Sequence, residues 1–415
     1  IWKVYKNMDI GIIGAGAGGI FTAINAKNEK NKITLIEKND KIGKKIFITG
    51  KGRCNITNAK FFDEFLDNIL VNKKFMYSSF TNFDNYALMD YLENMGLKLT
   101  IQRGDRVFPK SEKSNDVIKL FEKLIKEKNI DLKLNENVNK IYKDKNTNKF
   151  IVVTQKNSYE FDKVVIATGG LSYPLTGSNG DGYKFAKYFS HKIISTKPAL
   201  CPIKFLDDDL DSLNGISLKN VSLNVECQDK KISEFGEMLI GKKFITGPIV
   251  LTMSSLINRK KVKNMYIDLK ASLDFEKLDN RLIRDFENNS NKDVGNILKK
   301  LLLNAFVDVV LKRSNIDFHT KANQITKDER FRLIKEIKYF HLKFNGLSEI
   351  KNAIITSGGV DCKELDPKNM QSKIVSGLYF VGEVTDVDAL TGGYNLQIAF
   401  SQAYACAKDL RRENE

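Results

Sequence analysis

The chain has 415 residues, of which 42% are hydrophobic, enough for two or three domains with sizeable cores. No apolar run approaches the roughly 20 residues of a membrane-spanning helix, and the five cysteines form no CxxC pair, so a membrane partner, a local zinc site and a disulfide scaffold are disfavoured and a reducing cytoplasm is expected. The formal net charge of +16 indicates either a polyanionic partner or the lysine excess that an AT-rich genome produces without selection for binding.

The first predicted element is a βαβ unit. An apolar run at residues 10–13 predicts a strand that leads into Gly14, Gly16 and Gly19. An alanine-rich helical stretch and a second apolar run at residues 33–36 follow, and that run ends at Glu37. This spacing is typical of a dinucleotide-binding fold, in which the glycines provide a tight turn, close approach to a pyrophosphate and close helix packing. The helix N-terminus favours phosphate, and the acid favours ribose hydroxyls.

The next motif is a glycine-rich loop at residues 49–58, TGKGRCNITN. Glycines on both sides of a basic residue allow the backbone to lie against a flat ligand. A surface turn without a ligand is the alternative. Residues 61–130 are expected to be mostly helical, for example over 114–128, where apolar residues recur at helical spacing. Short strands are expected at 132–134, 138–142, 150–154 and 163–167.

The strand at 163–167 ends in the segment Ala167-Thr168-Gly169-Gly170. A strand followed by such a segment is a usual place for the backbone to close over a flavin nucleotide. A fourth motif, at residues 377–397, again reads as strand, acid, glycine turn and helix start, with the helix over 396–411. The N-terminus of that helix would direct N–H groups at a negative centre such as the N1/O2 edge of a reduced flavin.

Three segments are therefore expected. Residues 8–189 and 346–415 form the two parts of a nucleotide-binding domain, and residues 190–345 form an insert. Short alternating runs at 203–205, 221–225 and 266–269 predict a β-rich insert with helices over 296–311 and 327–339. Between residues 256 and 344 there are 20 Lys/Arg and 12 Asp/Glu, a net charge of +8. This excess makes Lys260, Lys261 and Lys263 candidates for binding a polyanionic substrate.

These motifs together resemble the BaiN/RdsA family of NAD(P)/FAD-dependent oxidoreductases. The segments that carry the resemblance are GAGAGG (14–19), GKGRCNITN (50–58), RVFPKSEKSNDV (106–117), ATGGLSYPLTGSNGDGY (167–183), TSGGVD (356–361) and the stretch from DPKNMQ to AFSQAYA (366–405). They cover the nucleotide-binding portion in family order. Two departures stand out: Gly241 and Lys242 replace a Thr-His pair usual in relatives, and Lys51 stands where glycine is commoner.

The resemblance implies an α/β flavoprotein with a Rossmann-like FAD-binding domain, of the type with two dinucleotide-binding domains, an inserted β-barrel-like domain and a small helical subdomain at about 270–335. The implied cofactor is FAD. Because the chain has no second GxGxxG, NAD(P)H is expected only as a transient electron donor. Only three histidines occur, and no metal is expected. The expected FAD-binding residues are Gly14, Ala15, Gly16, Ala17, Gly18, Gly19, Glu37, Lys38, Gly52, Arg53, Asn55, Ala167, Thr168, Gly169, Gly170, Gly382, Glu383, Gly392, Gly393, Asn395 and Leu396.

Three residues are candidate proton donors: Cys54, Tyr173 and Tyr394. Positive neighbours of Cys54 would lower the pKa of its thiol. The alternative for Cys54 is packing beneath the flavin, and for the tyrosines hydrogen bonding or stacking without chemistry. Arg53 is expected to hold a phosphate or a substrate anion, with an ion pair to a structural carboxylate as the alternative.

Three functions remain open at this stage. Members of the family are associated with reduction of a uridine in 23S ribosomal RNA to 5,6-dihydrouridine, with the basic insert holding RNA phosphates. The second function is reduction or oxidation of a small molecule, such as an unsaturated steroid-like acid or an amine. The third is a flavin-binding factor without catalysis. The sequence leaves the oligomeric state open.

Overall fold

A computed structural model describes residues 8–412, so residues 413–415 of the predicted segment 346–415 lie outside the described residues. The chain divides into two compact units. The outer unit contains the residues up to Lys197 and those from Ile350 onward, and the inserted unit is Pro198–Glu349. Within the described range, no helix combines the length and apolar character that a bilayer crossing requires.

A five-stranded parallel sheet forms the centre of the outer unit. Its strands lie in the order Leu378–Phe380, Lys163–Ile166, Met8–Ile13, Asn31–Ile36 and Asp131–Lys133. The first βαβ unit has strand Met8–Ile13 in parallel register with Asn31–Ile36, so that Ile10 lies opposite Ile33. Most residues of these strands are buried. Helices that include Ala17–Ala26 cover one face of the sheet, and the antiparallel strands Val138–Lys143, Phe150–Thr154 and Ser158–Phe161, with helix Asp181–Tyr188, cover the other. The carboxyl ends of the strands lie along one edge, where the predicted glycine and acid motifs follow.

Two long helices pack together on this sheet, Ala17–Ala26 from the start of the chain and Tyr394–Arg412 from its end. Phe21 and Phe400 meet edge to face at 5.0 Å between ring centroids in the core beneath them. The other helices of the outer unit are Lys44–Ile48, Phe62–Leu66, Lys73–Asn82, Asn85–Asn94, Ser114–Glu127 and Asp181–Tyr188. Its other strands are Thr57–Asn58, Ile69–Val71, Leu99–Gln102, Arg106–Pro109, Val138–Lys143, Phe150–Thr154, Ser158–Phe161, Ile355–Val360 and Asp388–Ala389, and Ile193–Ala199 leads out of the unit.

The inserted unit is built on a seven-stranded antiparallel sheet. Its strands lie in the order Phe340–His341, Val262–Asp268, Ser217–Cys227, Lys231–Gly241, Phe244–Thr246, Ile203–Phe205 and Phe344–Leu347. The first and last strands of this order are separated by only two residues of chain, so the two edges of the sheet must approach each other as they do in a barrel. The helices of the unit are Pro248–Ile257, Phe275–Glu287, Val294–Leu298, Asn304–Arg313 and Lys327–Lys338.

The expected α/β class, with a barrel-like insert and a helical subdomain, is confirmed. One element was predicted wrongly: residues 296–311 do not form a single helix. They contain the end of Val294–Leu298, a turn, and most of Asn304–Arg313. The helical path is interrupted at Leu303, whose extended backbone (φ −63°, ψ 139°) forms the N-cap of the second helix. The turn buries Leu301 and Leu302 and leaves Leu303 extended and 49% exposed.

Candidate functional site

The glycines of the first βαβ unit define a cradle at the carboxyl edge of the parallel sheet. Gly14 turns the chain out of strand Met8–Ile13 with φ +102°, and a Cβ there would lie 2.6 Å from the Ala167 carbonyl oxygen. A Cβ on Gly19 would lie 1.8 Å from the Gly14 carbonyl oxygen. A Cβ on Gly16, by contrast, would meet no atom within 4 Å. Two of the glycines are therefore required by packing, and the third leaves open space at the start of a helix.

Helix Ala17–Ala26 begins directly at this open space. Gly16 is its N-cap and offers no side-chain hydrogen bond to the first turn. Its free N–H groups and the positive end of the helix dipole therefore favour an anion. Ala15 and Ala17 flank the open glycine, and Gly18 packs on Val381, where a Cβ would lie 3.3 Å from Cγ2.

The acid after the second strand is held by two main-chain donors and one side-chain donor. Glu37 accepts a 2.7 Å hydrogen bond from Ala15 N and bonds of 2.9 and 2.6 Å from Asn39 N and Nδ2. These bonds fix the carboxylate beside the Gly14 turn, and a carboxylate can accept further bonds. The adjacent Lys38 forms a 3.0 Å ion pair with Asp181. Its ammonium is therefore engaged with a carboxylate at the start of helix Asp181–Tyr188.

The ATGG segment continues the same edge. Ala167 N donates to the Ile13 carbonyl oxygen at 2.8 Å, and Gly169 has φ +73°. A Cβ on Gly170 would lie 2.5 Å from Thr356 Oγ1, so this part of the loop packs against a strand from the far end of the chain. Thr168 Oγ1 is buried and has no hydrogen-bond partner within residues 8–412.

Several buried side-chain oxygens in the predicted binding segments, and Asn85 Oδ1 outside them, have no hydrogen-bond partner in the part of the chain that the structure describes. Besides Thr168, buried side-chain oxygens of Asn55 and Tyr183 lack partners within the described residues. Burial raises the pKa of the Tyr183 phenol, and Glu383 and Asp386 add to the effect. Buried polar groups in native proteins nearly always have partners. The orphaned oxygens therefore indicate that part of this surface contacts a polar ligand.

The GRCNITN loop and the GGYNLQ segment lie against each other. Thr57 Oγ1 donates a 2.7 Å hydrogen bond to Gln397 Oε1, and Asn58 Nδ2 donates a 3.1 Å bond to the Gly392 carbonyl oxygen. A Cβ on Gly393 would lie 2.3 Å from the Thr57 carbonyl oxygen. Only a backbone without a side chain can approach this closely. The two motifs therefore form one structure although more than 300 residues separate them.

Asn395 acts within its own loop. Its Oδ1 accepts a 3.0 Å bond from Ala389 N, and its Nδ2 donates to the Ala389 and Leu390 carbonyl oxygens. The side chain thereby shapes the chain that leads into the glycine pair. Leu396 is half-buried and packs on the core of the outer unit beneath helix Ala17–Ala26. Gly382 N donates a 2.7 Å bond to Gln402 Oε1, which fixes the end of strand Leu378–Phe380 to the C-terminal helix.

Glu383 belongs to a charged network that the sequence analysis missed. Lys45 Nζ lies 2.6 Å from Glu383 Oε2 and donates a 2.6 Å bond to Ser172 Oγ. Glu383 Oε1 accepts from Ser172 Oγ and from Thr356 N, each at 2.8 Å. The network joins four segments distant in sequence. Ser172, Thr356 and Glu383 lie inside family-like motifs, whereas Lys45 precedes the GRCNITN loop and carried no such signal.

Cys54 contradicts the expected lowering of its pKa. The side chain is 1% exposed, and burial raises the pKa of its thiol to about 12. The neighbouring positive charges do not reach it. The Arg53 guanidinium instead stacks 4.6 Å from the centre of the Phe108 ring and lies 3.7 Å from a Glu112 carboxylate oxygen. Lys51 is exposed with φ +59°, and a Cβ on Gly52 would meet no atom within 4 Å.

The two candidate tyrosines differ in their surroundings. Tyr394 is 3% exposed and packs edge to face on Phe65 at 4.7 Å between ring centroids. Burial raises the pKa of its phenol to about 12. Tyr173 is 37% exposed and precedes the short helix Pro174–Thr176 with φ +52°. Tyr173 is therefore reached by solvent, whereas Tyr394 is shielded from it.

The candidate lysines of the inserted unit also differ. Lys260 forms a 2.5 Å ion pair with Asp229, whereas Lys261 and Lys263 are exposed at the start of strand Val262–Asp268. Lys242, at the position of the family histidine, is exposed in the turn before strand Phe244–Thr246. Across residues 8–412, no group of three or more His, Cys, Asp or Glu side chains is arranged to hold a metal.

Comparison with known proteins gives three findings. The sequence matches the family model described as HI0933-like protein Rossmann domain over residues 8–409. It is 30% identical over 411 residues to the ribosomal RNA dihydrouridine synthase of Haemophilus influenzae, with 97% of this chain and 98% of that protein covered. It is 27% identical over 417 residues to the 3-dehydro-bile acid delta(4,6)-reductase of Clostridium scindens, with 96% and 98% covered.

Among solved structures, the 3-ketosteroid delta1-dehydrogenase of Sterolibacterium denitrificans superimposes with a TM-score of 0.52. The superposition covers 98% of this chain and 99% of that one at 12% identity. This level of similarity shows a common fold.

Proposed function

The chain belongs to the HI0933-like Rossmann-domain family, and from this membership we propose that it is an FAD-dependent oxidoreductase that reduces a uridine of 23S ribosomal RNA to 5,6-dihydrouridine. The observation that carries the proposal is the 30% identity, over 97% of this chain, to a ribosomal RNA dihydrouridine synthase. The dinucleotide cradle supports it, because such chemistry requires a bound hydride carrier.

The residues at the cradle fit FAD. The open space at Gly16 and the uncapped start of helix Ala17–Ala26 suit a pyrophosphate. Glu37 stands at the end of the second strand, where a carboxylate suits ribose hydroxyls. The orphaned oxygens of Asn55 and Thr168 suit polar atoms of the cofactor. We assign the other predicted residues of the GRCNITN loop and of the ATGG segment to the same binding surface.

FAD, when bound and reduced, supplies a hydride, which in this reaction is required at C6 of the uracil ring. The protein must hold the unstacked base and provide a proton for C5. Cys54 and Tyr394 both keep their protons at neutral pH because their pKa values are raised to about 12. Tyr173 is the one of the three candidates that is exposed enough for solvent to restore its proton. We therefore rank Tyr173 first as proton donor.

The charge of the inserted unit supports an RNA substrate. Lys261 and Lys263 are exposed, and residues 256–344 carry a net charge of +8. Such a surface binds phosphates without reading sequence. We propose NAD(P)H as a transient electron donor, because the chain carries a single GxGxxG.

Nucleoside mass spectrometry of large-subunit ribosomal RNA tests the proposal. We expect dihydrouridine to be lost when the gene is deleted, and to be restored by the wild-type gene but not by Gly16→Ala. A dihydrouridine level that is unchanged by deletion would contradict an RNA substrate.

The second candidate is a reductase of a small unsaturated acid. It is favoured by the 27% identity, over 96% of this chain, to a bile acid reductase. It predicts reduction of a steroid-like enone by the purified flavoprotein with NAD(P)H, and no change in ribosomal RNA upon deletion. A non-catalytic flavin-binding factor would show neither activity, and NAD(P)H would not bleach its flavin absorbance.

A further inference from the structure

A cavity of about 380 Å³ lies wholly within the inserted unit. Two local irregularities border it. One is the turn of three leucines that interrupts the predicted helix, and the other is a bulge in strand Ser217–Cys227, where the register shifts between Leu218 and Val221. The volume falls within the range of about 300–1,000 Å³ typical of small-molecule sites. The apolar lining residues are Leu218, Val221, Leu269, Leu301, Leu302, Leu303 and Phe306.

The polar lining is cationic. Besides Ser217, it consists of Lys219 and Lys270, and neither ammonium forms an ion pair with another of the residues 8–412. Asp268, two residues before Lys270, is already engaged, since it pairs with Lys338 at 2.6 Å. Burial, with a further contribution from Arg281, lowers the pKa of Lys270. The positive charge at this cavity is thus uncompensated by the protein.

A third feature also favours an anion. Helix Asn304–Arg313 begins at the rim, with the lining residue Leu303 as its N-cap and no side-chain hydrogen bond to its first turn. Free N–H groups at a helix N-terminus attract negative charge. An apolar floor, two unpaired ammonium groups and an uncapped helix start therefore share one small cavity.

We propose that this cavity binds a small amphipathic anion, with its apolar body on the leucine side chains and its carboxylate or phosphate head at Lys270 and Lys219. The site is assigned independently of the redox reaction proposed above. A carboxylate or a phosphate ester would meet the same residues, so the two head groups must be separated by experiment.

Isothermal titration calorimetry of the purified protein, with its cofactor bound, tests the proposal. The probes are decanoate and decyl phosphate, each below its micellar concentration, and neutral decanol below its solubility limit. We expect at least one anionic probe to bind and decanol to bind about tenfold more weakly or worse, because a charge-assisted contact is lost. The tighter of the two anionic probes identifies the head group. Lack of binding by both anions, or equal binding by decanol, would overturn the proposal.

Two matched pairs of variants locate the site. Lys270→Gln removes the partly buried ammonium, and Lys300→Gln is its control, an exposed lysine beside Leu301 that does not line the cavity. Leu303→Asp places a repelling carboxylate at the rim, and Leu303→Asn removes the same apolar surface without charge. Both Leu303 changes introduce a favoured N-cap residue, so both chains should fold.

We expect Lys270→Gln to raise the Kd of the anionic probe about tenfold, Lys300→Gln to leave it unchanged, and Leu303→Asp to raise it well above the value for Leu303→Asn. Equal Kd values for the two Leu303 variants would show that the anion binds elsewhere and would overturn the assignment. The comparison of the two Leu303 variants tests the site even if Lys270→Gln fails to fold.

Discussion

Thr57 donates a hydrogen bond of 2.7 Å to Gln397, a residue 340 positions further along the chain. Both side chains are fully buried. The bond ties the GRCNITN loop to the first turn of the C-terminal helix, and Gln397 continues the connection through Ser401 to the Phe83 carbonyl oxygen. These two parts of the proposed cofactor surface are thus joined by buried hydrogen bonds, and a change in one should affect the other.

Thr57→Val tests this connection. The change leaves Gln397 Oε1 without its donor in a buried site, so we expect a loss of about 1–3 kcal/mol in the free energy of unfolding. We also expect less flavin to be retained on purification. Urea denaturation and the ratio of flavin to protein absorbance measure the two effects. The control is Thr81→Val, at an exposed position of helix Lys73–Asn82. If both variants lose the same unfolding free energy and the same amount of flavin, the role assigned to the Thr57–Gln397 bond is contradicted.

Gly16→Ala and Gly19→Ala separate binding from folding. The added methyl at residue 16 meets no protein atom within 4 Å, whereas at residue 19 it lies 1.8 Å from a backbone oxygen. Gly16 has φ −85°, which alanine also adopts. We expect Gly16→Ala to melt within a few degrees of wild type but to bind FAD at least about tenfold more weakly, and Gly19→Ala to be insoluble or strongly destabilised. A soluble Gly16→Ala variant with normal FAD affinity would contradict the proposal that the open space at Gly16 binds the cofactor.

Cys54 should be unreactive in the native protein. Its raised pKa of about 12 means that the thiolate fraction at pH 8 is far below that of an ordinary cysteine, and the other cysteines are buried as well. We expect negligible reaction with a disulfide reagent at pH 8 and reaction of all five thiols after denaturation. Peptide mass spectrometry identifies the modified sites. Rapid modification of native Cys54 would contradict this expectation and would support the lowered thiol pKa that the sequence predicts.

His191 should make stability depend on pH. Burial lowers its pKa, and the bond to Glu364 only partly opposes this. Because the unfolded chain binds the proton more readily than the folded one, stability is present in full above the unfolded pKa of about 6.5 and falls as pH drops below it. Burial and Arg313 lower the pKa of His341 too, so His191→Gln should remove part of the effect.

Urea denaturation between pH 5 and 8 measures this dependence. If the unfolding free energy of the wild type rises as the pH falls from 8 to 5, the predicted direction of the pH dependence is wrong.

Lys261→Glu and Lys263→Glu should weaken binding of a ribosomal RNA fragment and flatten its salt dependence by about one unit of log–log slope per lost phosphate contact. Lys260→Glu should have a smaller effect because the Lys260 ammonium is already paired with Asp229. Filter binding at several salt concentrations measures the affinities, and flavin content should stay constant. Unchanged affinity at low salt would exclude this surface from RNA binding.

The pattern of neighbouring residues in the sequence predicts some features of the fold and of the candidate site but not others. The glycines of the first βαβ unit and strand Phe150–Thr154 were predictable because their constraints come from neighbouring residues. The network of Lys45, Ser172 and Glu383 was not, because its members meet only through the fold. Cys54 was misjudged for the same reason: the sequence displays nearby positive charge, but burial, which sets the pKa, is a property of the tertiary structure.

The pairing of the first helix, Ala17–Ala26, with the last, Tyr394–Arg412, has a consequence during synthesis. Strand Leu378–Phe380 and the GGYNLQ turn leave the ribosome after the entire inserted unit. Until then the parallel sheet lacks its edge strand, and helix Ala17–Ala26 lacks the helix that packs against it. A nascent or prematurely terminated chain would therefore lack the part of the proposed cofactor surface that follows residue 377, so that acquisition of flavin would report that translation had passed this segment.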